Sequence, residues 1–149
     1  MEKSLENLIS GIREEFALGD VDIRTYSPLV LAYIGDGIYE LVIRSLLVGR
    51  GNTQAAKLHR EASSLVNAGA QAVMLERIKE HLTEEELQIF RRGRNAHSPT
   101  MAKHASVSEY RRATGFEALM GYLYLGGQME RLLKLVRLGL EETSCDMKN

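Results

Sequence analysis

The chain has 149 residues, 44% of them hydrophobic, and a formal charge of −1, a size that fills one good core and argues against a second independent module. A single cysteine, Cys145, excludes a disulfide framework and a cysteine-based zinc site and fits a reducing compartment. No uncharged run approaches the roughly 20 residues of a membrane span, and the start of the chain lacks the basic and apolar segments of a secretory signal, so a cytoplasmic protein without membrane contact is expected.

Only two prolines occur, and apolar residues recur at three- and four-residue intervals, which predicts an all-α fold. A first amphipathic helix is expected over residues 5–18, ended by Gly19-Asp20. Ser27 followed by Pro28 starts a second, because serine can cap while proline suits the first helical position. That helix should run to about Val48, with Gly49 or Gly51 in the left-handed cap. Thr53 can cap a helix reaching Val66, and Asn67 to Gly69 marks a tight junction to another that ends near His81. Thr83 and Glu86 have capping-box spacing, which opens a helix at Glu84 that runs to about Arg92.

From Gly93 to Thr100 the chain reads as a loop. Ser106 and Glu109 repeat the capping-box spacing, so a long helix is expected through Glu117 to Leu125. Gly126-Gly127 breaks it, and a last amphipathic helix covers residues 129–140, followed by a frayed tail. No repeat or linker divides the chain. Residues 1–149 therefore read as a single domain with its core at about 27–140.

The chemistry concentrates at two acids. Asp36 stands between Gly35 and Gly37 inside the apolar stretch 29–43, and each glycine costs a helix about 1 kcal/mol relative to alanine. Close approach of another segment or a ligand would explain both glycines. Glu117 has the same character, since Gly115, Ala118 and Gly121 leave little bulk beside it and apolar residues surround much of its helix. If these two carboxylates meet, they suit Mg²⁺, which takes oxygen ligands and needs only one or two protein carboxylates beside substrate phosphate. Such an ion can orient water and stabilise charge on a phosphodiester. Glu40 lies one turn beyond Asp36 on the same face, where it can be a surface partner of Arg44. The four histidines show no close ligand pair, which disfavours zinc.

The net charge hides a segregation. Residues 1–22 carry six acids against Lys3 and Arg13, whereas residues 91–112 carry six bases against Glu109 alone. Arg91, Arg92, Arg94 and Lys103 in the second region suit phosphate contacts, which weaken steeply with salt. The chain has no Trp, and most of its aromatics fall within apolar helices, which is poor equipment for stacking single-stranded bases. Double-stranded RNA, recognised by shape and phosphate, fits better.

The segment Leu31-Ala-Tyr-Ile-Gly-Asp-Gly-Ile-Tyr-Glu40 resembles the signature helix of ribonuclease III catalytic domains, and Phe116-Glu-Ala-Leu-Met-Gly-Tyr-Leu-Tyr124 resembles their second acidic helix. Arg91-Arg-Gly-Arg-Asn-Ala96 is similar to the basic loop of the Mini-ribonuclease III branch, which has no double-stranded-RNA-binding domain. The resemblance implies an all-helical endonuclease domain that works as a homodimer, one magnesium-dependent site per chain, with Asp36 and Glu117 as the metal and water-activating acids and Glu40 supporting the metal from outside its direct ligands. It also implies maturation of precursor 23S ribosomal RNA in ribosome biogenesis, which leaves room for a ribosomal-protein partner. Two of the family's four acids are absent, since Ala32 and Thr114 occupy their positions. The rival expectation is a non-catalytic module that binds double-stranded RNA. A helical interaction protein, in which both acids only satisfy buried partners, is a third.

Overall fold

Ser27 and Pro28 act as their order in the chain requires: the serine Oγ accepts from the Val30 N–H at 3.2 Å, and proline takes the first turn. The computed structural model describes residues 3–96 and 107–147, with side chains over 8–96 and 107–141. Among the described residues the regular structure is entirely helical. Helix α1 spans Lys3–Glu15, α2 Pro28–Gly49, α3 Ala55–Val66, α4 Ala68–Ile78, α5 Glu84–Asn95, α6 Val107–Leu125 and α7 Met129–Met147. Single 3-10 turns, Ile23–Thr25 and Lys79–His81, precede α2 and follow α4. No helix among these residues is long and apolar enough to cross a membrane.

Helix α6 is the axis of the molecule. From residue 113 to 124 every residue except Glu117 is buried, the pattern of a helix enclosed on all sides rather than a surface helix with one apolar stripe. Helices α2, α4, α5 and α7 pack around it. Tyr39 of α2 meets Phe116 edge-on, with ring centroids 5.0 Å apart, and its hydroxyl donates to the Val66-adjacent carbonyl of Leu65 at 2.9 Å. The core thereby includes a polar tie from α2 to the end of α3.

The Thr83–Glu86 capping box forms in both directions, at 3.1 and 2.9 Å. Glu86 also accepts two bonds from Arg131 of α7, each at 2.9 Å. The Arg131 guanidinium holds the Glu86 carboxyl below its ordinary range despite burial. One acid therefore caps α5 and fixes it to α7.

Several expected boundaries move. Helix α1 ends at Glu15, before Gly19, because Ala17 adopts a φ of 53° and the Leu18 N–H reaches the Arg13 carbonyl at 2.8 Å, the bonding of a Schellman cap. Thr53 does not cap α3; Gln54 holds that position without a side-chain bond. Asn67 does cap α4, accepting from Ala70 at 2.8 Å. Helix α5 continues through Gly93 to Asn95, so the basic stretch starts as helix and not as loop. Ser106 lies outside the described residues. Helix α7 runs past the expected end at Leu140 to Met147.

Candidate functional site

The crossing of α2 and α6 is set by two glycines. A Cβ at Gly35 would lie 1.7 Å from the Glu117 carbonyl oxygen, and one at Gly121 would lie 2.0 Å from the Leu31 carbonyl oxygen. Backbone thus rests directly on backbone, with Leu31 and Gly35 one turn apart on α2 facing Glu117 and Gly121 one turn apart on α6. No other residue type allows this approach. Its consequence is lateral: Asp36, next to Gly35, is carried up to Glu117.

The two acids converge. Protonated Glu117 is within hydrogen-bonding reach of Asp36. Burial first, and the neighbouring Asp36 carboxyl second, push the Glu117 pKa up to about 8. Asp36 is exposed while Glu117 is mostly buried, so the pair has one side open to solvent and one embedded in the core. Two carboxyls this close share a proton or hold a cation, since their like charges otherwise repel at short range.

The donor set fits a hard divalent ion. It consists of two carboxylates with an open side, which matches the way Mg²⁺ is bound through one or two carboxylates plus waters and phosphate. No cluster of three or more His, Cys, Asp or Glu side chains exists among the described residues, so a protein cage of the calcium or zinc kind is not built here. Ala32 and Thr114, which stand where further acids were sought, are 7% and 8% exposed. The Thr114 hydroxyl donates back to the Tyr110 carbonyl at 3.0 Å.

Glu40 is engaged by Arg44 at 2.8 Å, the surface pair its spacing permits. The expected close approach at Gly37 is absent, because nothing lies within 4 Å of a Cβ built there. Tyr33, on the same side of α2, is 81% exposed. The turn around Asp36 is therefore tight toward α6 and open on its outer face.

Of the basic residues, Arg91 and Arg92 are exposed on α5. Arg94 lies 5.5 Å over the Phe90 ring and donates to Asn95 at 3.2 Å. Lys103 lies outside the described residues. Gly93 lets α5 rest on the helix that carries Glu117, since a Cβ there would sit 2.8 Å from the Ala118 Cβ and 2.9 Å from the Gly115 Cα. The same residue that reads as a loop signal is a packing contact.

One polar side chain at the pair was not anticipated. Gln71, 2% exposed on α4, donates from Nε2 to the Val66 carbonyl at 2.9 Å and to Glu117 Oε2 at 3.4 Å. Its Oε1 is buried with no partner, at a cost of about 1–3 kcal/mol for such a group. The available signal was a lone amide within the small and apolar run 68–75.

The Ribonuclease III domain profile matches residues 29–128, the span holding both acids and the α5 arginines. A Mini-ribonuclease 3 of Enterococcus faecalis is 51% identical over 77% of this chain and 89% of its own length. One of a Thermoanaerobacter species is 45% identical over 95% of this chain and 97% of its own. A crystal structure of a protein from Fusobacterium nucleatum superposes with a TM-score of 0.75 at 32% identity, covering 83% of this chain and 94% of that one. The chain belongs to the ribonuclease III domain family, in its Mini-ribonuclease III branch.

Proposed function

We propose that this chain, an endoribonuclease of the ribonuclease III type, hydrolyses phosphodiester bonds in double-stranded RNA using Mg²⁺ held by Asp36 and Glu117. Precursor 23S ribosomal RNA is the proposed substrate, in cytoplasmic ribosome biogenesis, with a ribosomal protein as a further partner. The observation that carries this reading is the meeting of those two carboxyls at a glycine-tight helix crossing with one open side.

When bound, the ion supplies charge stabilisation for the phosphodiester and makes a neighbouring water more acidic. The chain's own residues do the rest. Asp36 offers its oxygens from the exposed side, where RNA can reach them. Glu117, its carboxyl pKa pushed up by burial and then by Asp36, would hold a proton toward Asp36 in the metal-free protein, and with Asp36 would be the group that holds the cation. Arg91, Arg92 and Arg94, with Lys103, neutralise backbone phosphates and seat the duplex. Glu40, tied to Arg44, supports the α2 turn from outside the direct ligands. Having two rather than four acids favours slow, selective cleavage.

A homodimer is part of this reading. Besides its buried residues, α2 exposes Val30, Tyr33, Leu41 and Val48 at 47%, 81%, 50% and 61%, a self-complementary apolar strip suited to a two-fold contact. Two copies would offer one site to each strand.

The test is a labelled RNA duplex incubated with wild type and Asp36→Asn, with and without Mg²⁺. Wild type should cut only with the ion, and Asp36→Asn should bind normally while losing on the order of 10³-fold in rate. Full cleavage by Asp36→Asn overturns the site. Binding without any cleavage by wild type would establish the non-catalytic module, and no binding at low salt the interaction protein. Arg94→Ala should weaken binding across sequences and reduce the salt slope by about 1; an unchanged slope removes Arg94 from the contact surface.

A further inference from the structure

We propose that Gln71 is a positioning residue for cleavage: its buried amide, anchored on Val66 at the junction of α3 and α4, holds the Glu117 carboxyl toward Asp36. The inference rests on the Asp36–Glu117 reading above and adds a third helix to it.

Geometry makes the case. The same Nε2 donates to the Val66 carbonyl at 2.9 Å and to Glu117 Oε2 at 3.4 Å, so the backbone at the end of α3 fixes where the amide stands and the amide constrains the carboxyl. Of the α6 positions one turn from Glu117, Ala113 and Gly121 put little side chain beside it. Without such a partner, a flexible carboxyl could turn among several rotamers.

The orphaned Oε1 points the same way. A glutamine chosen only to fill the core leaves an acceptor stranded, whereas methionine of similar length fills the space without one. Residues that burden the fold in this manner concentrate at functional sites. The competing explanation is a structural one, in which Gln71 only satisfies the last carbonyl of α3.

Gln71→Met separates the two. Single-turnover cleavage of an RNA duplex at saturating RNA should fall about 10- to 100-fold, as for other residues that orient metal ligands, with the duplex Kd within about twofold of wild type. Calorimetric titration of the RNA-free protein with Mg²⁺ alone should show affinity about tenfold weaker. The Tm in EDTA should stay within about 3 °C of wild type, since a satisfied bond and a stranded oxygen are lost together. If the variant does not fold, Gln71→Leu also removes the N–H donor while keeping an apolar side chain of similar volume in the core, and the same losses are expected.

Wild-type cleavage and Mg²⁺ affinity in the variant overturn the proposal. So does a loss of cleavage that merely tracks a lower Tm. An inert wild type, or an active Asp36→Asn, would instead sink the reading of the acid pair itself.

Discussion

Two backbone constraints in this molecule are met in opposite ways. Where α2 crosses α6, glycine stands at both positions where a Cβ would strike a carbonyl, Gly35 and Gly121. At the end of α1, Ala17 adopts a φ of 53°, a conformation glycine would take at little cost. The surroundings differ as much. The crossing carries the acids and lies in the core, while α1 touches α7 lightly and leaves Leu8, Phe16 and Leu18 at 49%, 70% and 56% exposed. A clash on backbone cannot be relieved by turning a side chain, but a single strained alanine costs only about 1–2 kcal/mol. The difference teaches where exact backbone spacing matters to the acids and where strain is merely tolerated.

The sharpest way to break that contrast is Gly35→Ala. A methyl 1.7 Å from a carbonyl oxygen forces the helices apart, so destabilisation of roughly 3 kcal/mol or more in urea denaturation and loss of cleavage are expected. Gly37→Ala, two residues on, meets nothing within 4 Å and should instead stabilise α2 by about 1 kcal/mol. Equal responses from the two would mean that the crossing is not the constraint.

Proton linkage sharpens the comparison next. Glu117 titrates near 4.5 in its ordinary state and is pushed up to about 8 in the fold by burial and then by Asp36. The folded protein therefore binds the extra proton between those values, and its stability should fall as pH rises from about 4.5 to about 8 in EDTA. Glu117→Gln should flatten this fall by on the order of 2 kcal/mol between pH 5 and 8, allowing for the group's partial exposure. Asp36→Asn should flatten it in part. An identical pH profile for wild type and Glu117→Gln would show that the fold does not raise Glu117, and an identical one for Asp36→Asn that the acids do not interact.

The smallest effect belongs to the periphery. Ala17→Gly should raise stability by about 1 kcal/mol with cleavage unchanged, because it relieves the left-handed φ more than it loosens the unfolded chain. A loss of stability would mean that the α1 terminus is held by contacts stronger than its exposure suggests.

Much of this arrangement was legible in the residues. Ser27-Pro28 and the Thr83–Glu86 pair announce helix starts because capping is local chemistry, and both form as spaced. The convergence of Asp36 and Glu117 was legible from the small residues beside each acid. What sequence could not distinguish was the use to which a glycine is put. Gly35 and Gly37 look alike in the chain, yet only the helical phase relative to α6 makes the first a contact and leaves the second open. Gly93 reads as a break for the same reason, although its missing side chain admits α6. Gln71 escaped notice because its role depends on a carbonyl five residues back and a carboxyl 46 residues on, and no local pattern encodes such a meeting. Thr53 shows the converse error, since a good capping residue stands one position from the cap the helix adopts.

The enclosure of α6 has a consequence for how the acid pair can fail. Amides along residues 113–124 are shielded by four neighbouring helices and should be among the last in the protein to exchange with deuterium, opening only in the global unfolding event. Local breathing, which readily exposes an α1-like terminus, has no route to the α6 backbone at Glu117. Loss of the backbone frame that carries Glu117 through thermal fluctuation is thereby coupled to loss of the whole fold.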